Sequence, residues 1–276
     1  MEKAIRRYWP IFVLPTFLAF ILGFIAPFAM GVYLSFCKFT TVTDAKFIGF
    51  SNYLKIFTDA SFVHALWYTA LFTVVTVVLI NVLAFAVALL LTKGFRGTNI
   101  FRTVFFMPNL IGGIILGYIW QLLLNGVLLY MNRTLTYSSV YGFWGLVILM
   151  CWQQIGYMMI IYIAGLQAVP EDMLEAARID GCSYFRTYWN VLLPLVKPGL
   201  TTLAILGMLN TWKDLMWPLI NNSQADKMTL AAGLAMLIGE HTTYYEQVMA
   251  GGVIAVLPLI VLFVIFQRQF VQGIAH

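Results

Sequence analysis

Charged side chains are scarce in this chain. Asp, Glu, Lys and Arg make up only 10% of its 276 residues, whereas 62% are hydrophobic. A water-facing surface needs far more charge than that, so a soluble globular domain is excluded. Histidine and cysteine are also sparse, with three of each. His64, His241 and His276 fall in loops or at the terminus, and neither H-E-x-x-H nor G-x-S-x-G occurs. An intramembrane enzyme, which needs a nucleophile with its base or a metal-ligand cluster, is therefore not expected. Cys37, Cys151 and Cys182 fall by the topology below outside, within a span and in the cytoplasm, so no pair can form a framework disulfide. The nucleotide signature G-x-x-x-x-G-K-[ST] is missing, so no ATP site is expected in this chain. The net charge of +5 is spread too thinly for a nucleic-acid surface.

Apolar runs are what the chain has in abundance, and its mean hydropathy is +0.88. Six runs reach the roughly 20 residues that a membrane-crossing helix needs: about 11–36, 65–91, 103–124, 143–165, 199–220 and 249–270. A β-barrel would show short segments alternating apolar and polar residues. Ile111 to Leu116 and Val253 to Phe266 show no such alternation. An all-α integral membrane fold in a single domain follows. The first run, preceded by Arg6 and Arg7, is too long for a signal-peptide core and is expected to stay as a signal anchor.

Lysine and arginine concentrate on the cytoplasmic side of short loops. With the N-terminus inside, Lys3, Arg6, Arg7, Lys93, Arg96, Arg102, Arg178, Arg186, Lys197 and Arg268 are cytoplasmic. Lys38, Lys46, Lys55, Arg133 and Lys227 are left outside, with Lys213 in the fifth span. This bias predicts cytoplasmic N- and C-termini. In the first external loop, Ile48 to Tyr53 reads as a turn leading into a short amphipathic helix. The third external loop, 221–248, is the longest and richest in polar groups.

A polar island interrupts this pattern between the fourth and fifth spans, at about 166–198. It holds Glu171, Asp172, Glu175 and Asp180, four of the eleven acidic residues in the chain. Pro170 suits the first position of a helix, and Glu171 and Asp172 suit its positive end. Gly181 should break that helix, and Ser183 should cap a second one running to about Asn190. Ala176 and Ala177 leave room for close approach by another surface, and Glu175 offers it a carboxylate. Taken alone, Glu175 is equally readable as a partner of Arg178 on a wet helix face.

The full spacing, Glu175-Ala176-Ala177, three residues, Gly181 and then Leu193-Pro194, resembles the cytoplasmic coupling loop of ABC-importer permeases. Phe101 to Pro108, Ile163 to Pro170 and Asn52-Tyr53 extend the resemblance to carbohydrate-type permease subunits, the group of the maltose and glycerol-phosphate permeases. It implies the type I ABC importer permease fold, with six transmembrane helices. It also implies that Glu175, Ala176, Ala177, Gly181, Leu193 and Pro194 form an element docking on a cytoplasmic ATPase dimer, which binds the ATP and Mg. A second permease subunit and an extracytoplasmic solute-binding protein are the further partners implied. Residues up to the island resemble one subunit type of the usual heterodimer, whereas Trp212 to Leu219 and Met249 to Arg268 resemble the other. The second permease is therefore expected to be non-identical.

A sugar pathway needs aromatic faces for stacking and amides for hydroxyls. The candidates are Trp120 and Gln121 in the third span, Trp152, Gln153 and Tyr157 in the fourth, and Asn210, Trp212 and Asp214 in the fifth. Ionisable residues within a span are functional candidates by default. For Asp214 the alternative is a structural cap or an interhelical hydrogen bond. A stand-alone secondary transporter or channel is the competing reading. It would show an inverted repeat or a filter loop, and neither is visible in the sequence.

Overall fold

A computed structural model describes residues 2–94, 96–221, 228–238 and 244–275. Parts of the third external loop, with Lys227 and His241, lie outside the described residues, as does His276. The helices, in chain order, are α1 (Glu2–Phe20), α2 (Ala26–Ser35), α3 (Ser51–Thr58), α4 (Ala60–Thr92), α5 (Thr98–Phe106), α6 (Gly113–Leu129) and α7 (Ser139–Gln167). They are followed by α8 (Glu171–Ile179), α9 (Tyr184–Thr187), α10 (Leu193–Trp212), α11 (Met216–Asn221), α12 (Leu230–Met236) and α13 (Tyr245–Ala275). A two-stranded antiparallel hairpin, β1 (Cys37–Lys38) and β2 (Lys46–Phe47), pairs Cys37 with Phe47. Four apolar stretches, Ile11–Ser35, Ala60–Thr92, Ser139–Gln167 and Tyr245–Arg268, are long enough to cross a membrane, and two bent helix pairs complete six.

The chain divides into two units, Met1–Val63 with Leu234–Pro258, and His64–Gly233 with Leu259–His276. In the first unit, a π turn at Ile21–Ile25 joins α1 to α2. The C-terminal end of α2 is clamped by Asn52, which is fully buried and donates from Nδ2 to the carbonyls of Ser35 (3.0 Å) and Cys37 (2.8 Å). The Tyr53 hydroxyl reaches Ser35 Oγ at 2.6 Å, and Phe36 packs against Phe47, Phe50 and Tyr53. The expected turn and short helix are therefore present, and Asn52 and Tyr53 tie them to the first span. In the β1–β2 connection, Asp44 Oδ1 accepts the backbone N–H groups of Thr40 and Thr41, and these bonds hold its carboxyl below the usual carboxylate range.

The second unit is organised around α7, more than half of whose apolar stretch is buried. Along α4, Phe72, Thr76, Ile80, Ala84 and Ala88 recur every four residues and are each at most 1% exposed. This single helix face carries small residues toward its C-terminal end. Leu146, Leu149, Met158 and Met159 of α7 belong to the same core. Tyr162 donates its hydroxyl to Asn81, so the buried polar pair is mutually satisfied across α4 and α7. Gly156 is where α5 crosses α7: a Cβ there would lie 1.8 Å from the Phe105 carbonyl oxygen.

Two spans are less regular than continuous hydropathy implies. The third is not a straight crossing from 103 to 124, because α5 and its following tight turn, Met107–Leu110, meet α6 at 104°. Pro108 has no amide to donate and Gly112-Gly113 has weak helix propensity, so the backbone breaks at Ile111-Gly112. The fifth bends by 57° between residues 197 and 199, around a proline, and α10 ends at Trp212 before the short α11. The second helix of the polar island is also not a separate element ending near Asn190. From α9 a π turn, Tyr188–Leu192, runs directly into α10, with Leu193 N–H bonded to the Tyr188 carbonyl. Pro194 cannot donate to the residue four before it, and the widened turn absorbs that missing bond.

Candidate functional site

The polar island folds into α8, a tight reversal and α9. The Pro170 carbonyl accepts the Met173 N–H at 3.2 Å, which places Pro170 just before the helix, and Glu171 and Asp172 lie in the first turn. At the other end, Cys182 N–H reaches back to the Ala177 carbonyl at 3.0 Å and Asp180 N–H to the Ala176 carbonyl at 2.9 Å. Gly181 sits between them at φ +73°. That is a left-handed glycine closing a helix by a six-to-one bond, so the expected break is present and has a defined geometry. Arg186 N–H lies 3.4 Å from Ser183 Oγ, a weak cap for α9.

Asp172, Glu175, Ala176 and Ile179 occupy one outward face of α8, and Ile179 is 80% exposed. Ala177 was expected on the docking face beside Ala176. It is instead 5% exposed and turned toward its own chain with Leu174, three residues before it. Ile179 was not among the expected contacts, although its i, i+4 relation to Glu175 signals a shared face. Leu193 is half-buried and Pro194 exposed at the start of α10. Behind α8, a cavity of about 670 Å³ lies between the island and the C-terminal ends of α4 and α7, lined by residues that include Leu89, Leu166, Leu174 and Tyr188.

The pathway candidates separate into two groups. Trp120 and Trp152 come together edge-to-face, with ring centroids 5.1 Å apart. Trp152 and Tyr157 are each a little over one-third exposed, and Gln153 lies one turn before Tyr157. Gln121 is engaged structurally, because its Nε2 donates to the Ile220 carbonyl at 2.8 Å and so ties α6 to the end of α11. Gly117 makes the same approach possible, since a Cβ there would meet the Ile220 side chain at 2.7 Å. Asn210 is half-buried and Trp212 is 6% exposed. The Asp214 carboxylate accepts the backbone N–H groups of Trp217 and Met216 at the start of α11. Its Oδ2 is buried without a hydrogen bond among the described residues. Asp214 thus acts as a helix cap in this geometry.

Apart from the β1–β2 hairpin, the described residues form a helical chain that presents a short capped helix between its fourth and fifth apolar stretches. Residues 80–276 match the family described as binding-protein-dependent transport system inner membrane component. AmyD of Thermoanaerobacterium thermosulfurigenes, a probable starch degradation products transport system permease protein, is 37% identical over 215 residues, covering 75% of this chain and 73% of AmyD. AraQ of Halalkalibacterium halodurans, an arabinooligosaccharides transport system permease protein, is 29% identical over 242 residues, covering 85% of this chain and 81% of AraQ. A chain in the crystal structure of a bacterial ABC transporter that imports the acidic polysaccharide alginate matches with a TM-score of 0.79 over 97% of each chain. At 16% identity, that match shows the fold. The chain belongs to the binding-protein-dependent transport system inner membrane component family. It is a multi-pass permease of an ABC importer with the type I fold.

Proposed function

We propose that this chain moves a sugar or related polyol inward, driven by ATP that a cytoplasmic ATPase dimer binds with Mg and hydrolyses. The observation that carries the coupling is the outward face of α8, where Glu175, Ala176 and Ile179 are offered between two spans and held by the Gly181 reversal. A carboxylate beside a small and an apolar side chain suits a cleft with a basic rim. The charge bias supports a cytoplasmic position for this face and for both termini. An extracytoplasmic binding protein delivers the solute, and a second, non-identical permease completes the pathway. The sugar assignment rests on the relatives' names and on the aromatic and amide side chains around Trp120, Trp152, Gln153 and Tyr157.

The test is ATP-dependent uptake by proteoliposomes holding this chain with its second permease, ATPase and binding protein, using labelled maltooligosaccharides, arabinooligosaccharides and a panel of amino acids. Uptake of a saccharide that requires ATP and the binding protein is the expected result. Uptake of amino acids alone would overturn the sugar assignment, and uptake without ATP would overturn the coupling.

A further inference from the structure

A second pocket, of about 360 Å³, opens beside the start of α5, where Thr98, Asn99, Ile100 and Arg102 face Thr92 from the end of α4 and Gln167 from the end of α7. Arg102 is half-buried, and its Nε is buried with no hydrogen-bond partner among the described residues. A guanidinium nitrogen withdrawn from water without an acceptor is costly, so the site is incomplete without one. No acidic side chain lines the pocket among the described residues. Gly97, at φ +94°, precedes α5 without a side-chain cap, and the positive end of the helix dipole lies beside the pocket. Lys93 and Arg96 are exposed in the connection that precedes it.

We propose that this pocket binds a phosphate group, and that the group belongs to an anionic phospholipid of the cytoplasmic leaflet. Two observations favour a lipid over free phosphate. Ile100, Phe101 and Val104 on the same nine-residue helix are 69%, 48% and 56% exposed, an apolar surface beside the pocket suited to acyl chains. The pocket shares Thr92 and Gln167 with the cavity behind α8, so it lies at the membrane edge on the side that carries the coupling helix. The donors on its wall, the Arg102 guanidinium and the Asn99 and Gln167 amides, suit phosphate oxygens of either source, whereas the Thr92 hydroxyl already donates to the Leu89 carbonyl. The leaflet assignment rests on the orientation proposed above, whereas the phosphate assignment does not. Occupancy would hold α5 against the ends of α4 and α7, close to the coupling element.

The test is native mass spectrometry of the detergent-solubilised importer complex titrated with dioleoyl-phosphatidylglycerol, dioleoyl-phosphatidylcholine or inorganic phosphate. The wild type is expected to retain phosphatidylglycerol in preference to phosphatidylcholine. Arg102→Met should lower phosphatidylglycerol retention about fivefold, the loss of one basic contact to an anionic lipid. Arg102→Lys should recover part of it. Equal retention by the wild type and Arg102→Met would overturn the proposal, as would an equal loss of both lipids. Displacement of phosphatidylglycerol by millimolar phosphate would assign the pocket to a free anion and overturn the lipid source. Binding in detergent is read whichever way the chain faces, and impermeant labelling of Cys182 in sealed vesicles tests the orientation separately.

Discussion

The indole rings of Trp120 and Trp152 meet with their centroids 5.1 Å apart and their planes at 62°, one ring from α6 and the other from α7. An edge-to-face pair of this kind fixes both side chains while leaving part of each aromatic surface open. Trp152 remains 37% exposed. A rigid, partly open aromatic wall is what stacking against a sugar ring requires. Gln121, one residue from Trp120, is occupied with the Ile220 carbonyl and serves packing instead.

Trp152→Ala should therefore reduce solute uptake by at least tenfold while the complex still assembles, because the loss is of solute contact. Asp214→Ala should do the reverse. Its carboxylate holds the first amides of α11, and removing a cap costs about 1 kcal/mol. Thermal melting of the purified complex should fall for Asp214→Ala and remain near wild type for Asp214→Asn, which keeps an acceptor. Normal melting with lost uptake in Asp214→Ala would instead make that residue part of the pathway.

The crossing of α5 and α7 gives a purely structural prediction. Gly156 has no room for a methyl group, because the obstacle is the Phe105 backbone and not a movable side chain. Gly156→Ala should cost more than the usual 1–3 kcal/mol of overpacking, seen as a large drop in melting temperature or failed accumulation in the membrane. Gly165, on the same helix with nothing near its added Cβ, is the control, and Gly165→Ala should be neutral. Equal behaviour of the two variants would mean that α5 does not cross at Gly156.

Much of this organisation is legible in residue order. The apolar runs mark six crossings, and the island with Gly181 marks the reversal. What residue order hides is where helices break and which way small residues face. A hydropathy window averages across Ile111-Gly112, so a 104° bend reads as one continuous run. The π turn before Pro194 is invisible because every residue in it is an ordinary helix former. Ala176 and Ala177 are chemically identical, and only the phase of α8 separates an outward methyl from an inward one. Arg102 escapes notice because arginine at a membrane edge is what the charge bias already expects.

Orientation is open to a direct check. Cys182 is partly exposed between α8 and α9, whereas Cys37 and Cys151 are buried. A membrane-impermeant maleimide should label Cys182 only from the cytoplasmic side. An introduced Asn132→Cys, at an exposed turn position, should be labelled only from outside. Labelling of both from one side would refute the six-span topology.

Gly181 separates backbone geometry from side-chain chemistry. Its φ of +73° is accessible to Asn, strained for Ala and closed to Pro. No atom lies within 4 Å of an added Cβ, so any effect comes from the backbone and not from crowding. Solute-stimulated ATP hydrolysis by the reconstituted complex should stay near normal in Gly181→Asn. It should weaken in Gly181→Ala, where the strain is about 1–2 kcal/mol, and be lost in Gly181→Pro. Full activity in the proline variant would remove the reversal from the coupling mechanism.

The outward face of α8 can be separated from its inward face by the two neighbouring alanines. Ala176→Leu adds bulk at an exposed position where a partner must approach, so melting should be unchanged while stimulated hydrolysis and ATPase association fall. Ala177→Leu forces bulk into a position only 5% exposed, so the loop itself should be destabilised by about 1–3 kcal/mol, with coupling lost as a consequence. Glu175→Lys keeps the helix and reverses the charge offered to a basic cleft. It should weaken ATPase binding in a way that high salt partly relieves, because salt screens like-charge repulsion at an exposed site. If Ala176→Leu and Glu175→Lys both bind the ATPase and respond to solute normally, α8 is a solvated connector, and the energy for transport must enter through another surface.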